Sequence, residues 1–125
     1  MLFKKTLKQI IGDKSENLAL SHLKKEGLTL VTRNYHCKHG EVDLIMREGD
    51  YLVFIEVRYR KNTDFGGALS SITPNKQQKI IKTALSFLQD KQYKGLHQLS
   101  PRFDVIAIEG DNANINWVKS AFDGN

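Results

Sequence analysis

Four charged side chains between positions 41 and 58 stand at spacings that a β-hairpin would gather into one cluster: Glu41, Asp43, Glu56 and Arg58. The Gly49-Asp50 pair between two β-prone apolar runs suits a two-residue hairpin loop. With that loop Glu48 opposes Tyr51, Asp43 opposes Glu56 and Glu41 opposes Arg58, and the strand period of two puts all four on one face of the sheet. Like charges directly opposed across strands are destabilising. Glu56 moreover lies in Leu52-Val53-Phe54-Ile55-Glu56-Val57, which otherwise reads as a buried strand. Two arrangements offset the repulsion. One is a divalent cation, because Mg²⁺ takes one or two carboxylates, keeps several waters and completes its shell with substrate phosphate. The other is a metal-free ion network with Arg58 and lysines. Glu16 bears on the choice. With Ala19, Leu20 and Leu23 at i+3, i+4 and i+7 it belongs on or beside the buried face of a helix, where an acid needs a partner. A capping box with Asp13 explains the same residue locally.

The elements that must position these residues follow from periodicity. Leu2, Phe3, Leu7, Ile10 and Ile11 among Lys4, Lys5 and Lys8 predict a short basic amphipathic helix over 1–11, ending near Gly12. Asp13 and Glu16 then open a second helix that stops at Gly27. Strands are expected at Leu28–Tyr35, Glu41–Met46 and Tyr51–Tyr59. The stretch 59–73 is a polar, basic, glycine-containing loop, too long for a mere connector and therefore mobile or functional. Thr73 as N-cap and Pro74 at the first helical position start a helix with Ile80, Ile81, Ala84, Leu85 and Leu88 as its apolar stripe. Phe103–Ile108 and Ile115–Val118 are the last strands. The order predicts a single α/β domain over 1–125, a central mixed sheet flanked by helices.

These residues carry a family resemblance. Gly12-Asp-Lys-Ser-Glu16 with Ala19 and Leu23, Gly40-Glu-Val-Asp-Leu-Ile45, Phe54-Ile-Glu-Val-Arg-Tyr-Arg60, Phe65-Gly-Gly67, Lys76-Gln77 and Arg102-Phe-Asp104 run through most of the chain. In this order they resemble the YraN family of predicted endonucleases, related to archaeal Holliday-junction resolvases and the wider PD-(D/E)xK nucleases. The resemblance implies a restriction-endonuclease-like fold in which Glu16, Asp43 and Glu56 hold Mg²⁺ or Mn²⁺ at a phosphodiester, DNA rather than RNA as the main partner, and it admits a homodimer. Arg58 stands where the superfamily places the lysine of its ExK motif. Arginine keeps its proton, so it can stabilise phosphate charge but cannot act as a base, and hydrolysis would rely on metal-activated water. This departure motivates a rival expectation, a nuclease-fold module that binds DNA or a partner protein with little or no turnover. Lys76, one turn before Ile80, is either a substitute for the motif lysine or an ordinary solvated lysine. Gln77 beside it is a site or packing residue.

Arg58, Tyr59, Arg60, Lys61 and Phe65, followed by Gly66-Gly67, read as a clamp on nucleic acid. The cations would give sequence-independent affinity through counterion release, and the aromatic a platform for an unpaired base. The alternative is a solvated loop with Phe65 folded onto the core. A formal charge of +5 and a pI near 9.4 favour polyanionic partners. The lone thiol, Cys37, calls for no oxidising compartment, and a zinc site with His36 and His39 lacks a fourth ligand. With no stretch long enough for a membrane span and no signal-peptide core in the first residues, the expected location is the cytoplasm.

Overall fold

A computed structural model of the chain describes residues 4–62 and 67–124. Its elements are helix α1 (Leu7–Lys25), strands β1 (Thr29–Cys37), β2 (Gly40–Glu48) and β3 (Tyr51–Arg60), helix α2 (Pro74–Leu88), and strands β4 (Ser100–Glu109) and β5 (Asn114–Phe122). The strands form one mixed sheet in the order β1-β2-β3-β4-β5. Only β3 and β4 run parallel, because the α2 crossover joins them while the other neighbours are joined by short turns. The expected mixed α/β architecture is the observed one, and it is consistent with a restriction-endonuclease-like fold.

Two cores sandwich the sheet. On one face Val42, Ile45, Leu52 and Phe54 pack with Ile80, Ile81, Ala84 and Phe87 of α2. On the other, Leu44, Met46, Val53 and Ile55 pack with Ala19, Leu20 and Leu23 of α1. Strand β3 therefore alternates regularly, with even positions toward α2 and odd ones toward α1.

Helix α1 differs from expectation. No break occurs at Gly12: one helix runs from Leu7 through Gly12 to Lys25, and it starts at a capping box of Thr6 and Gln9. A glycine inside a helix costs only about 1 kcal/mol, which nineteen residues with one face packed on the sheet readily offset. Asp13 is therefore not an N-cap, and its exposed carboxylate pairs with Lys5. Leu2 and Phe3 lie outside the described residues.

The loop after β3 is also more ordered than expected at its far end. Leu69–Ser71 form a 3₁₀ turn held by buried Ala68 and Ile72 before Thr73 caps α2 through the Lys76 amide. At the opposite sheet edge, Asp104 has its side chain wholly buried but fully engaged. Arg102 donates to both its oxygens at 2.9 and 2.8 Å, Trp117 Nε1 donates at 2.9 Å and the Ser120 amide at 3.0 Å. This ties β5 to β4 where their register shifts between Phe103 and Val105. Trp117 packs on the α1-side core as well as donating to Asp104.

Candidate metal and nucleic-acid site

The hairpin register is as read from the loop, with Glu48 opposite Tyr51 and Leu44 opposite Ile55. The ladder then stops, one pair short of Asp43 and Glu56, although β2 begins at Gly40 and β3 continues to Arg60. Two local irregularities open this fork. Asn34 of β1, opposite the Asp43 position, takes a left-handed conformation (φ 52°) and interrupts the pairing between Arg33↔Leu44 and Tyr35↔Val42. Val42 and Leu44, two residues apart, pack on opposite faces of the sheet, so the alternation of β2 fails at Asp43. An irregularity of this kind re-aims a side chain. Here Asp43 Oδ2 accepts from the Val57 amide at 2.8 Å, and the carboxylate supplies a partner that the broken ladder does not.

Asp43 and Glu56 are brought together. Glu56 is 7% exposed. Its pKa is raised to about 10, first by burial and then by a hydrogen bond and charge repulsion from Asp43, with Arg58 lowering it and Glu41 raising it further. Arg58 Nη2 stands 4.0 Å from Glu56, the outer limit of an ion pair. Arg58 Nε is buried with no hydrogen-bond partner among the described residues. The fork thus holds a Glu56 carboxyl that favours its protonated form, with Asp43 against it, beside a guanidinium donor that lacks an acceptor among the described residues.

Glu16 reaches the fork from the other side. It is buried on α1, whereas the alternation of β3 turns Glu56 and Arg58 toward the α2 layer. Asp43 lies between them and is close enough to raise the pKa of Glu16, although burial is the largest cause of that shift. Glu16 Oε1 is engaged by Arg33 Nε at 3.0 Å, Arg33 Nη2 at 2.9 Å and Asn34 Nδ2 at 3.2 Å. Sequence reading missed Arg33 and Asn34. The available signal was an inward acid on α1, which had to have a partner on the neighbouring strand. Among the described residues no three His, Cys, Asp or Glu side chains stand close enough together to hold a metal ion. The pair Asp43 and Glu56 alone supplies the two carboxylates that Mg²⁺ commonly takes from protein.

The remaining sequence candidates are spread around this fork. Tyr59 is half-buried against the α1-side core, Arg60 and Lys61 are exposed, and Phe65 lies outside the described residues. Lys76 is exposed at the start of α2, and Gln77 donates to the Ile72 carbonyl at 3.2 Å, a structural contact at the helix entry. Cys37 is half-buried and donates toward Thr83 Oγ1 at 3.8 Å, which joins the β1–β2 turn to α2.

Fold and site together define an α/β protein whose mixed sheet forks over a close pair of carboxylates, one of them buried. The family model described as "Uncharacterised protein family UPF0102" matches residues 15–108, which contain Glu16, the fork and the α2 crossover. The chain belongs to this family, the YraN family. It is 54% identical over 112 residues to a UPF0102 protein of Legionella pneumophila, covering 90% of this chain and 93% of that one. It is 49% identical over 115 residues to one of Pseudomonas fluorescens (90% and 92%), and 48% identical over 121 residues to one of Herminiimonas arsenicoxydans (95% and 91%).

Proposed function

We propose that this protein is a metal-dependent endonuclease that hydrolyses phosphodiester bonds in nucleic acid, with DNA as its main substrate. The observation that carries the reading is buried Glu56 with half-buried Asp43 against it, beside the Arg58 Nε donor that lacks an acceptor among the described residues. A buried carboxyl that burial and a neighbouring carboxylate keep from ionising marks a place where a cation would be stabilised. A free guanidinium N–H next to it is suited to an anionic oxygen. Phosphate and divalent metal together satisfy both.

Asp43 and Glu56 would hold Mg²⁺ or Mn²⁺, with Glu16 the third acid at the fork. When bound, such an ion polarises the phosphodiester and lowers the pKa of water. Binding it requires the pair to give up its proton. Arg58 donates from Nε to a phosphate oxygen and stabilises negative charge, but it cannot take a proton from the nucleophile. Arg60, Lys61 and Lys76 supply positive charge along the substrate backbone.

A second reading is favoured by a specific contact set: Arg33 and Asn34 hold Glu16, and Arg58 replaces a titratable lysine. On that reading the fold binds DNA and turns it over weakly or not at all. Cleavage assays on branched, single-stranded and duplex DNA, and on RNA, separate the two. Endonuclease function predicts cutting that needs Mg²⁺ or Mn²⁺ and disappears in Glu56→Gln, with salt-sensitive binding retained. Folded protein that binds DNA but cuts none of these substrates in either metal establishes the second reading instead.

A further inference from the structure

One exposed concentration of positive charge lies away from the fork. The β1–β2 turn carries Lys38 and His39, and it is fixed onto α2 in two ways. Cys37 contacts Thr83 Oγ1, and a Cβ built at Gly40 would stand 3.4 Å from that same oxygen and 3.7 Å from the Lys79 Cβ. Between turn and helix is an open cleft of about 550 Å³, lined by Lys38, His39, Lys82, Leu85, Ser86 and Gln89. Among the described residues no carboxylate lines it. Lys79 and Lys76 continue the charge along α2 toward its N-terminus at three-residue spacing, which keeps the three lysines on one half of the helix. All are exposed, and among the described residues none of Lys38, Lys76, Lys79 and Lys82 pairs with an acid.

We infer that this turn and the outer side of α2 form a second contact surface for the sugar-phosphate backbone of a nucleic-acid duplex. The inference rests on the nucleic-acid reading of the fork and extends it to residues outside it. Charge sign is the first argument: unpaired lysines on a fixed frame are the usual source of backbone affinity. Neutral chemistry is the second, since Ser86 and Gln89 offer the hydroxyl and amide groups that commonly accompany lysine at phosphate and sugar. Position is the third. Gly40 at the turn and Asp43 at the fork are three residues apart on β2, about 10 Å along a strand. One DNA strand carries a charge about every 3.4 Å of helix axis, so that interval covers roughly three phosphates. Glu56 and Arg58 face the same α2 layer.

The test is binding of a short DNA duplex in EDTA across a salt series, which leaves cutting out of the readout. Lys38→Glu with Lys82→Glu is compared with Lys24→Glu with Lys25→Glu, which changes the net charge equally on the exposed end of α1. Expected is weaker binding and a slope of log affinity against log salt reduced by about 2 for the first pair only, corresponding to two lost phosphate contacts. Equal effects from both pairs, no effect from the first, or no duplex binding by the unaltered protein overturn the inference. Binding to anionic lipid vesicles but not to duplex overturns it as well. If the first pair selectively weakens binding while the unaltered protein never cuts DNA in Mg²⁺ or Mn²⁺, the surface stands and the catalytic reading falls.

Discussion

At the scale of single residues, Glu56 sets the behaviour of the site. Its pKa in the fold lies far above the ordinary 4.5. An acid shifted this way binds its proton more tightly folded than unfolded. Its contribution to stability is therefore fully present below about 4.5 and is lost as pH rises toward about 10. In EDTA, the unfolding free energy from urea titration should fall as pH is raised from 5 to 9, by at most about 1.4 kcal/mol per pH unit. Glu56→Gln should flatten that profile and be the more stable protein at pH 9. An identical pH dependence in both would mean that the pair does not retain its proton. Arg33→Ala leaves Glu16, among the described residues, with Asn34 as its one side-chain donor and should cost about 1–3 kcal/mol in denaturant unfolding, as loss of a partner does for a buried polar group. Adding Glu16→Gln should recover part of that loss.

At the scale of elements, the sequence was legible where a rule acted locally. Gly49-Asp50 fixed the hairpin register, and that register brought Asp43 to Glu56. It did not disclose the fork. The left-handed Asn34 and the failed alternation at Val42 are responses to packing on both faces, and neither strand shows them by itself. Helix α1 was misread because Thr6-x-x-Gln9 and Asp13-x-x-Glu16 are both capping-box patterns, and only burial on the sheet decides between them. Glu16, explained locally as half of such a box, instead faces Arg33. The continuous helix makes a direct prediction. A Cβ at Gly12 would meet nothing within 4 Å, so Gly12→Ala should stabilise the fold by about 0.5–1 kcal/mol; a helix that ended there would lose stability instead. At the far edge, Asp104→Ala removes the acceptor of four hydrogen bonds and leaves Arg102 with Glu48 as its acid partner, a loss of about 3–5 kcal/mol. Hydrogen exchange should then report β5 opening before the rest of the sheet.

At the scale of the whole molecule, the fold keeps acids at the opening of the sheet and leaves lysines on the surfaces that flank it. Basic composition pointed to a polyanion, while the placement of Lys38 and Lys82 around one cleft depended on a turn docking against a helix more than forty positions away. Among the described residues no helix is long and apolar enough to cross a membrane. On the proposed function, the forked sheet exchanges the Glu56 proton for a divalent ion. Calorimetric titration of the metal-free protein with Mn²⁺ and Mg²⁺ at neutral pH, in buffers of different ionisation enthalpy, tests it most directly. The account predicts saturable binding that releases about one proton per ion and vanishes in Glu56→Gln. Folded protein that takes up neither ion, or a Glu56→Gln variant that binds them unchanged, would contradict it.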